Sequence, residues 1–131
     1  MHLEYAGLLE ESIAHWDRMV AWMKKQKHYY DPDTNDMRDA IGEHWYGDHC
    51  PCCKHAQSLS GRNDFCVDCP IVIAGFKNCQ EVGNPWLSVA ESETNEEWLN
   101  NADKMILFLE EVKQYWMDYE QKDKDRVCEV E

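Results

Sequence analysis

The chain predicts an all-α fold: two long helices packed lengthwise as a hairpin-like stalk, joined through an insertion of short helices and loops. Two apolar stripes and one cysteine array carry that expectation. The stripes lie near the two ends of the chain and repeat with a helical period. The array, Cys50-x2-Cys53-x12-Cys66-x2-Cys69, lies between them.

In the first stripe Ala6, Leu9, Ile13, Trp16, Val20 and Met23 recur at steps of three and four. That 3.5-residue period belongs to helices that pack side by side. Lys24, Lys25 and Lys27 follow, where cations complement the carbonyl end of the helix dipole. Tyr29-Tyr30-Asp31-Pro32 then stops the helix, because a residue before proline is pushed out of the α region. The pattern predicts a helix over 4–28.

The insertion, 33–90, is less regular. Asp33 or Thr34 can cap a short helix through Met37, Ala40, Ile41 and Trp45 that ends near Gly47. Ser58, Ser60 and Arg62 in KHAQSLSGRND read as a polar loop. Cys69-Pro70 followed by Ile71, Val72, Ile73 and Phe76 predicts a second short helix with proline at its first position. Cys69 would then sit at a helix N-terminus, where a thiolate is favoured. Gly83-Asn84-Pro85-Trp86 reads as a turn.

In the second stripe Trp98, Ala102, Met105, Leu109, Val112, Trp116 and Tyr119 step by four and three, widened by Leu99 and Ile106. Thr94-x-x-Glu97 has the form of a capping box. Asp118 with Lys122 and Glu120 with Lys124 are spaced as i,i+4 pairs. The pattern predicts a helix over 95–122, with a charged tail at 123–131 that frays. At 1.5 Å per residue the two helices would be about 36–42 Å long. Matching seams predict that they pack on one another, in a direction the pattern leaves open. The same seams could instead be shared between two chains as a homodimer.

The cysteine array predicts a metal site. Two C-x-x-C knuckles can close a tetrahedral sulfur shell around zinc. Cys50, Cys53, Cys66 and Cys69 are the expected ligands, with Cys79, Cys52, His49 and His55 as alternates. A closed four-thiolate shell is structural rather than catalytic. An Fe–S cluster is the less favoured occupant, since the C-x2-C-x2-C-x3-C-P run is absent.

Composition narrows the function classes. At 131 residues and 44% hydrophobic, the chain suits one folded domain. No apolar run reaches the roughly 18 residues of a membrane span. The N-terminal segment carries Glu4, Glu10 and Glu11 where a signal peptide would need a basic, then apolar, start, so a cytoplasmic location is expected. Thiols stay reduced there, which favours metal over disulfides. The net charge is −13, and residues 91–131 hold thirteen acids against five bases. No basic patch is visible, so direct nucleic-acid binding is not expected. An H-E-x-x-H pair, a P-loop and G-x-G-x-x-G are all absent, and the chain is not expected to be an enzyme.

Cys50-Pro-Cys-Cys53, Cys66-Val-Asp-Cys69-Pro70, Cys79 and Asn84-Pro85-Trp86 together resemble the small Cys-rich proteins encoded by many tailed bacteriophages. The resemblance spans about residues 45–87. It implies a phage setting, hence a host-cell cytoplasm, and a ligand pool of Cys50, Cys53, Cys66, Cys69 and Cys79. Cys52 departs from the single-pair first knuckle of that pattern. The leading expectation is a non-enzymatic zinc-binding protein that binds and inhibits a host or antiviral-defence protein. The alternatives are an acidic mimic of DNA or another polyanion, and a metal-dependent or redox enzyme. Trp22, Trp45 and Trp86 lie off both seams, and any of them left exposed would suit a protein partner.

Overall fold

The computed structural model describes residues 3–27, 29–46, 50–60, 69–77 and 83–130. Six helices follow in order: α1 (Leu3–Met23), α2 (Thr34–Ile41), α3 (Pro51–Ser60), α4 (Pro70–Ile73), α5 (Pro85–Ala90) and α6 (Asn95–Val130). Among the described residues the one β pairing is an isolated antiparallel bridge between Tyr30 and Thr94. The fold is all-α.

Helix α1 runs antiparallel along α6. Near its start Tyr5 meets Trp116 edge-on at 4.8 Å, and two-thirds of the way along Trp16 stacks on Trp98 at 5.9 Å. The stripe on α6 is buried as its period predicts: Trp98, Ala102, Met105, Leu109, Val112 and Trp116 are all core residues. Tyr119, expected in that seam, is exposed. The face of α1 is broader than a narrow seam. Tyr5, Ser12, His15 and Met19 join Leu9, Trp16, Val20 and Met23 in the core, while Ala6 and Ile13 are only half-buried. Two neighbours cause the broadening, because α3 packs on α1 beside α6.

Helix α1 ends at Met23 rather than at residue 28. Its last turn tightens to i−3 bonds at Lys25 and Gln26. The Gln26 carbonyl accepts from Asn95 Nδ2 at 2.7 Å, and the Tyr29 carbonyl accepts from the Asn95 amide at 2.9 Å. These bonds draw the chain off the helix axis onto the head of α6. They form a clamp, completed by the Asp31 amide donating to the Glu93 carbonyl at 2.6 Å.

Asp33 caps α2 by accepting from the Asn35 amide at 2.8 Å, and Gly42 at φ 78° ends it. The helix thus stops before Trp45, short of the expected end near Gly47, which lies outside the described residues. Two segments read as irregular are helical. Pro51–Ser60 forms α3, although part of it read as a loop; Arg62 lies outside the described residues. Asn84, read as part of a turn, is the N-cap of α5, accepting from the Trp86 amide at 2.8 Å. Helix α5 packs on α6.

At the head of α6 the Glu97 amide donates to Thr94 Oγ1 at 3.1 Å, as a capping box requires. The Glu97 carboxylate reaches the Glu93 amide instead of that of Thr94. Helix α6 continues to Val130, past the expected end at 122, so the tail extends the helix. Lys124, Arg126 and Glu129 in that tail are residue types that cost little in a helix. Asp118 does not pair with Lys122; its carboxylate accepts from Gln114 Nε2 at 2.8 Å.

Candidate functional site

Cys50-Pro51 opens α3 and Cys69-Pro70 opens α4, so the same dipeptide starts two helices. Proline at N1 loses no bond, since that amide has no partner within the helix. The amides of Cys52 and Cys53 favour the charged form of Cys50, and those of Ile71 and Val72 favour that of Cys69, although the Cys69 side chain makes no capping hydrogen bond. The two turns are local copies of one arrangement.

Cys52 joins them. Its side chain is fully buried, and its thiol hydrogen-bonds both Cys50 and Cys69. Ser12 Oγ, on the buried face of α1, lies 3.4 Å from Cys52 Sγ. Cys53 is half-buried and its thiol bonds Cys50. From the other side Trp116 Nε1 donates to the Pro70 carbonyl at 3.0 Å, fixing the α4 turn to α6. The thiols therefore lie between α1, α3, α4 and α6.

Hydrogen bonds from the Cys52 and then the Cys53 thiol hold Cys50 well below the usual cysteine range, against burial and with help from the backbone amides. The bond from Cys52 likewise lowers Cys69. Cys52 is pushed well up by its bonds to those two sulfurs and by burial. Thiolate character is thus favoured at the heads of α3 and α4 and disfavoured at Cys52.

Among the expected ligands, Cys53 lies beside Cys50, and Cys52 links Cys50 to Cys69. Cys66, Cys79 and His49 lie outside the described residues. His55 sits on α3 with its ring edge-on to Tyr5 at 5.7 Å. Among the described residues no group of three or more His, Cys, Asp or Glu side chains is arranged to hold a metal ion. Of the tryptophans singled out, Trp45 is a core residue, 5% exposed and edge-on to Trp98. That burial corrects the expectation of an exposed anchor. Trp22 and Trp86 are partly buried. Trp86 Nε1 donates to the Trp45 carbonyl at 2.5 Å, and Trp22 meets Tyr29 edge-on.

A second polar cluster escaped sequence reasoning. His15, 1% exposed, donates from Nδ1 to the Glu43 carboxylate, which also takes Arg18 Nε at 2.5 Å and Nη2 at 3.0 Å. Burial alone would raise the Glu43 carboxyl. The hydrogen bonds from Arg18 and His15, with their electrostatic attraction, outweigh it and hold the group below its ordinary value. Both ion pairs among the described residues use Glu43. The one sequence signal was His15 falling one residue before Trp16 on the apolar face.

No protein-family model matches this chain, and neither a curated protein nor a solved structure matches it. Among the described residues no helix is long and apolar enough to cross a membrane.

Proposed function

We propose that this chain is a non-enzymatic zinc-binding interaction protein, in which a structural zinc staples the insertion to the hairpin of α1 and α6. The supporting observation is the pair of Cys-Pro turns, which bring Cys50 and Cys69 to the heads of α3 and α4, each beside two backbone amides that favour its charged form. Such donors favour thiolate over thiol, and thiolate is the form that zinc takes. The proposed shell is Cys50, Cys53, Cys66 and Cys69. Cys52 is the foremost alternate, because it is buried and interacts with both Cys50 and Cys69. Cys79, His49 and His55 complete the pool. Four thiolates around one zinc leave no position open to a substrate, which favours binding over catalysis.

The resemblance to phage-encoded Cys-rich proteins supports a host or antiviral-defence protein as the target, met in the host cytoplasm. A polyanion mimic would need a continuous stripe of carboxylates. On α6 the exposed Leu107 and Met117 interrupt the acids, which favours a localised protein interface. Elemental analysis tests the metal: about one zinc per chain is expected for one four-ligand shell. A brown preparation with iron and labile sulfide would replace zinc by a cluster. Turnover of a target by sub-stoichiometric protein would replace the binding role by an enzymatic one.

A further inference from the structure

The chain enters α3 through Cys50-Pro51-Cys52-Cys53, and the helix gives its three cysteines different places. The Lys54 amide donates to the Cys50 carbonyl at 2.9 Å, which is the first bond of the helix. Cys50 is therefore the N-cap, Pro51 and Cys52 take the next two positions, and Cys53 takes the third. An N-cap side chain lies beside the third helical residue, the neighbourhood that a capping box uses. One helical turn leaves their Cα atoms about 5 Å apart, inside the roughly 4.4–6.8 Å that a disulfide spans. The Cys53 thiol already hydrogen-bonds Cys50, and neither residue is in a disulfide.

Exposure separates this pair from the other two thiols of the cluster. Cys50 and Cys53 are half-buried, so a small reagent can reach them. Cys52 is fully buried with its sulfur 3.4 Å from Ser12 Oγ, and Cys69 is 6% exposed. We propose that Cys50 and Cys53 are a reversible redox pair, closed to a disulfide by a low-molecular-weight disulfide such as oxidised glutathione. One of the two thiolates attacks a sulfur of the reagent, forming a mixed disulfide and releasing one glutathione thiolate. The other attacks the protein sulfur of that mixed disulfide and releases the second glutathione. The chain gives up two electrons and two protons, and the reagent leaves as two thiols. The second step joins groups already held together, which favours it over exchange with another reagent molecule. The bond itself needs no metal. Its consequence rests on the zinc reading: closure removes two of the four proposed ligands, and Cys66 and Cys69 cannot complete a tetrahedral shell alone. Oxidation then releases the staple, and reduction restores it.

The test exposes the reduced full chain to excess oxidised glutathione, blocks the remaining thiols with iodoacetamide, and maps the tryptic peptides by mass spectrometry. Cleavage after Arg38 and Lys54 yields one peptide that holds Cys50, Cys52 and Cys53. The expected peptide carries a single alkyl group, on Cys52, and is two hydrogens lighter for the disulfide. Dithiothreitol added before blocking should restore alkylation at all three cysteines. Cys52→Ser should leave closure intact, whereas Cys53→Ser should stop at the mixed disulfide, its mass raised by one glutathione. Alkylation of all three in the oxidised native chain would overturn the proposal, as would an alkyl group on Cys50 or Cys53, or a cross-link from this peptide to Cys69. Zinc measured on the same sample with a chromogenic chelator separates the two readings. A chain that closes the disulfide with no zinc to release sinks only the metal, and a zinc-loaded chain that stays fully alkylatable sinks only the redox pair.

Discussion

Replacing Glu43 removes the acceptor shared by a buried histidine and an exposed arginine, and the two losses differ in size. The His15 side chain is 2% exposed, so its ring N–H would be left without water; an unsatisfied buried donor costs about 1–3 kcal/mol. The Arg18 side chain is 57% exposed and regains solvent, so its bond is worth about 0.2–1 kcal/mol. Glu43→Ala should therefore cost about 2–3 kcal/mol and Arg18→Ala at most about 1 kcal/mol. Glu43→Gln should fall between, since its one carbonyl can still accept from either neighbour. Urea unfolding followed by circular dichroism would show this as a lowered midpoint at unchanged slope. The pH dependence has a definite sign. A carboxyl whose folded value is depressed stabilises fully above its unfolded value, about 4.3 for glutamate, and less as pH falls through the folded one. The gap between the native chain and Glu43→Gln should be full at neutral pH and close in acid below that range. Equal, small costs for Glu43→Ala and Arg18→Ala, or a gap that widens in acid, would refute the assignment of His15 as the dependent partner.

Four further outcomes are expected. Leu109→Asp or Val112→Asp buries a charge in the core and should abolish helicity measured by circular dichroism, whereas the exposed Glu110→Ala and Glu111→Ala should shift the unfolding midpoint little. Cys50→Ser or Cys69→Ser should lose zinc on elemental analysis and destabilise the insertion; retention of a full complement by both would remove the proposed shell. Trp116→Phe keeps an aromatic ring but deletes the buried bond to the Pro70 carbonyl and leaves a void, and should lower stability to urea by at least about 1–3 kcal/mol. The Tyr29 phenol is pushed up to about 12, first by burial and then by its bond to Asp36; ultraviolet titration should find it there, and Asp36→Asn should lower it.

The helical stripe of α6 was legible from its residues because a 3.5-residue apolar period fixes a face whatever packs against it; Trp98 through Trp116 are buried as read. The same held for the α2 cap at Asp33 and the Pro70 start of α4, which depend on residues within one turn. Ser12 and His15 were not legible as core residues. Their partners, Cys52 and Glu43, stand 40 and 28 positions away, and nothing local to α1 records that a thiol and a carboxylate will arrive. Helix α3 was hidden for a related reason. Its residues, PCCKHAQSLS, hold few apolar groups, and only Pro51, matching Pro70, marked a helix start. By itself, then, the sequence determined the all-α class, the buried face of the last helix and the pairing of cysteines with prolines, all set by short-range periodicity and backbone preference. The tertiary structure decided the antiparallel sense of α1 and α6, the burial of Trp45, and the role of Cys52 in joining Cys50 to Cys69, because each requires residues distant in the chain to meet in space.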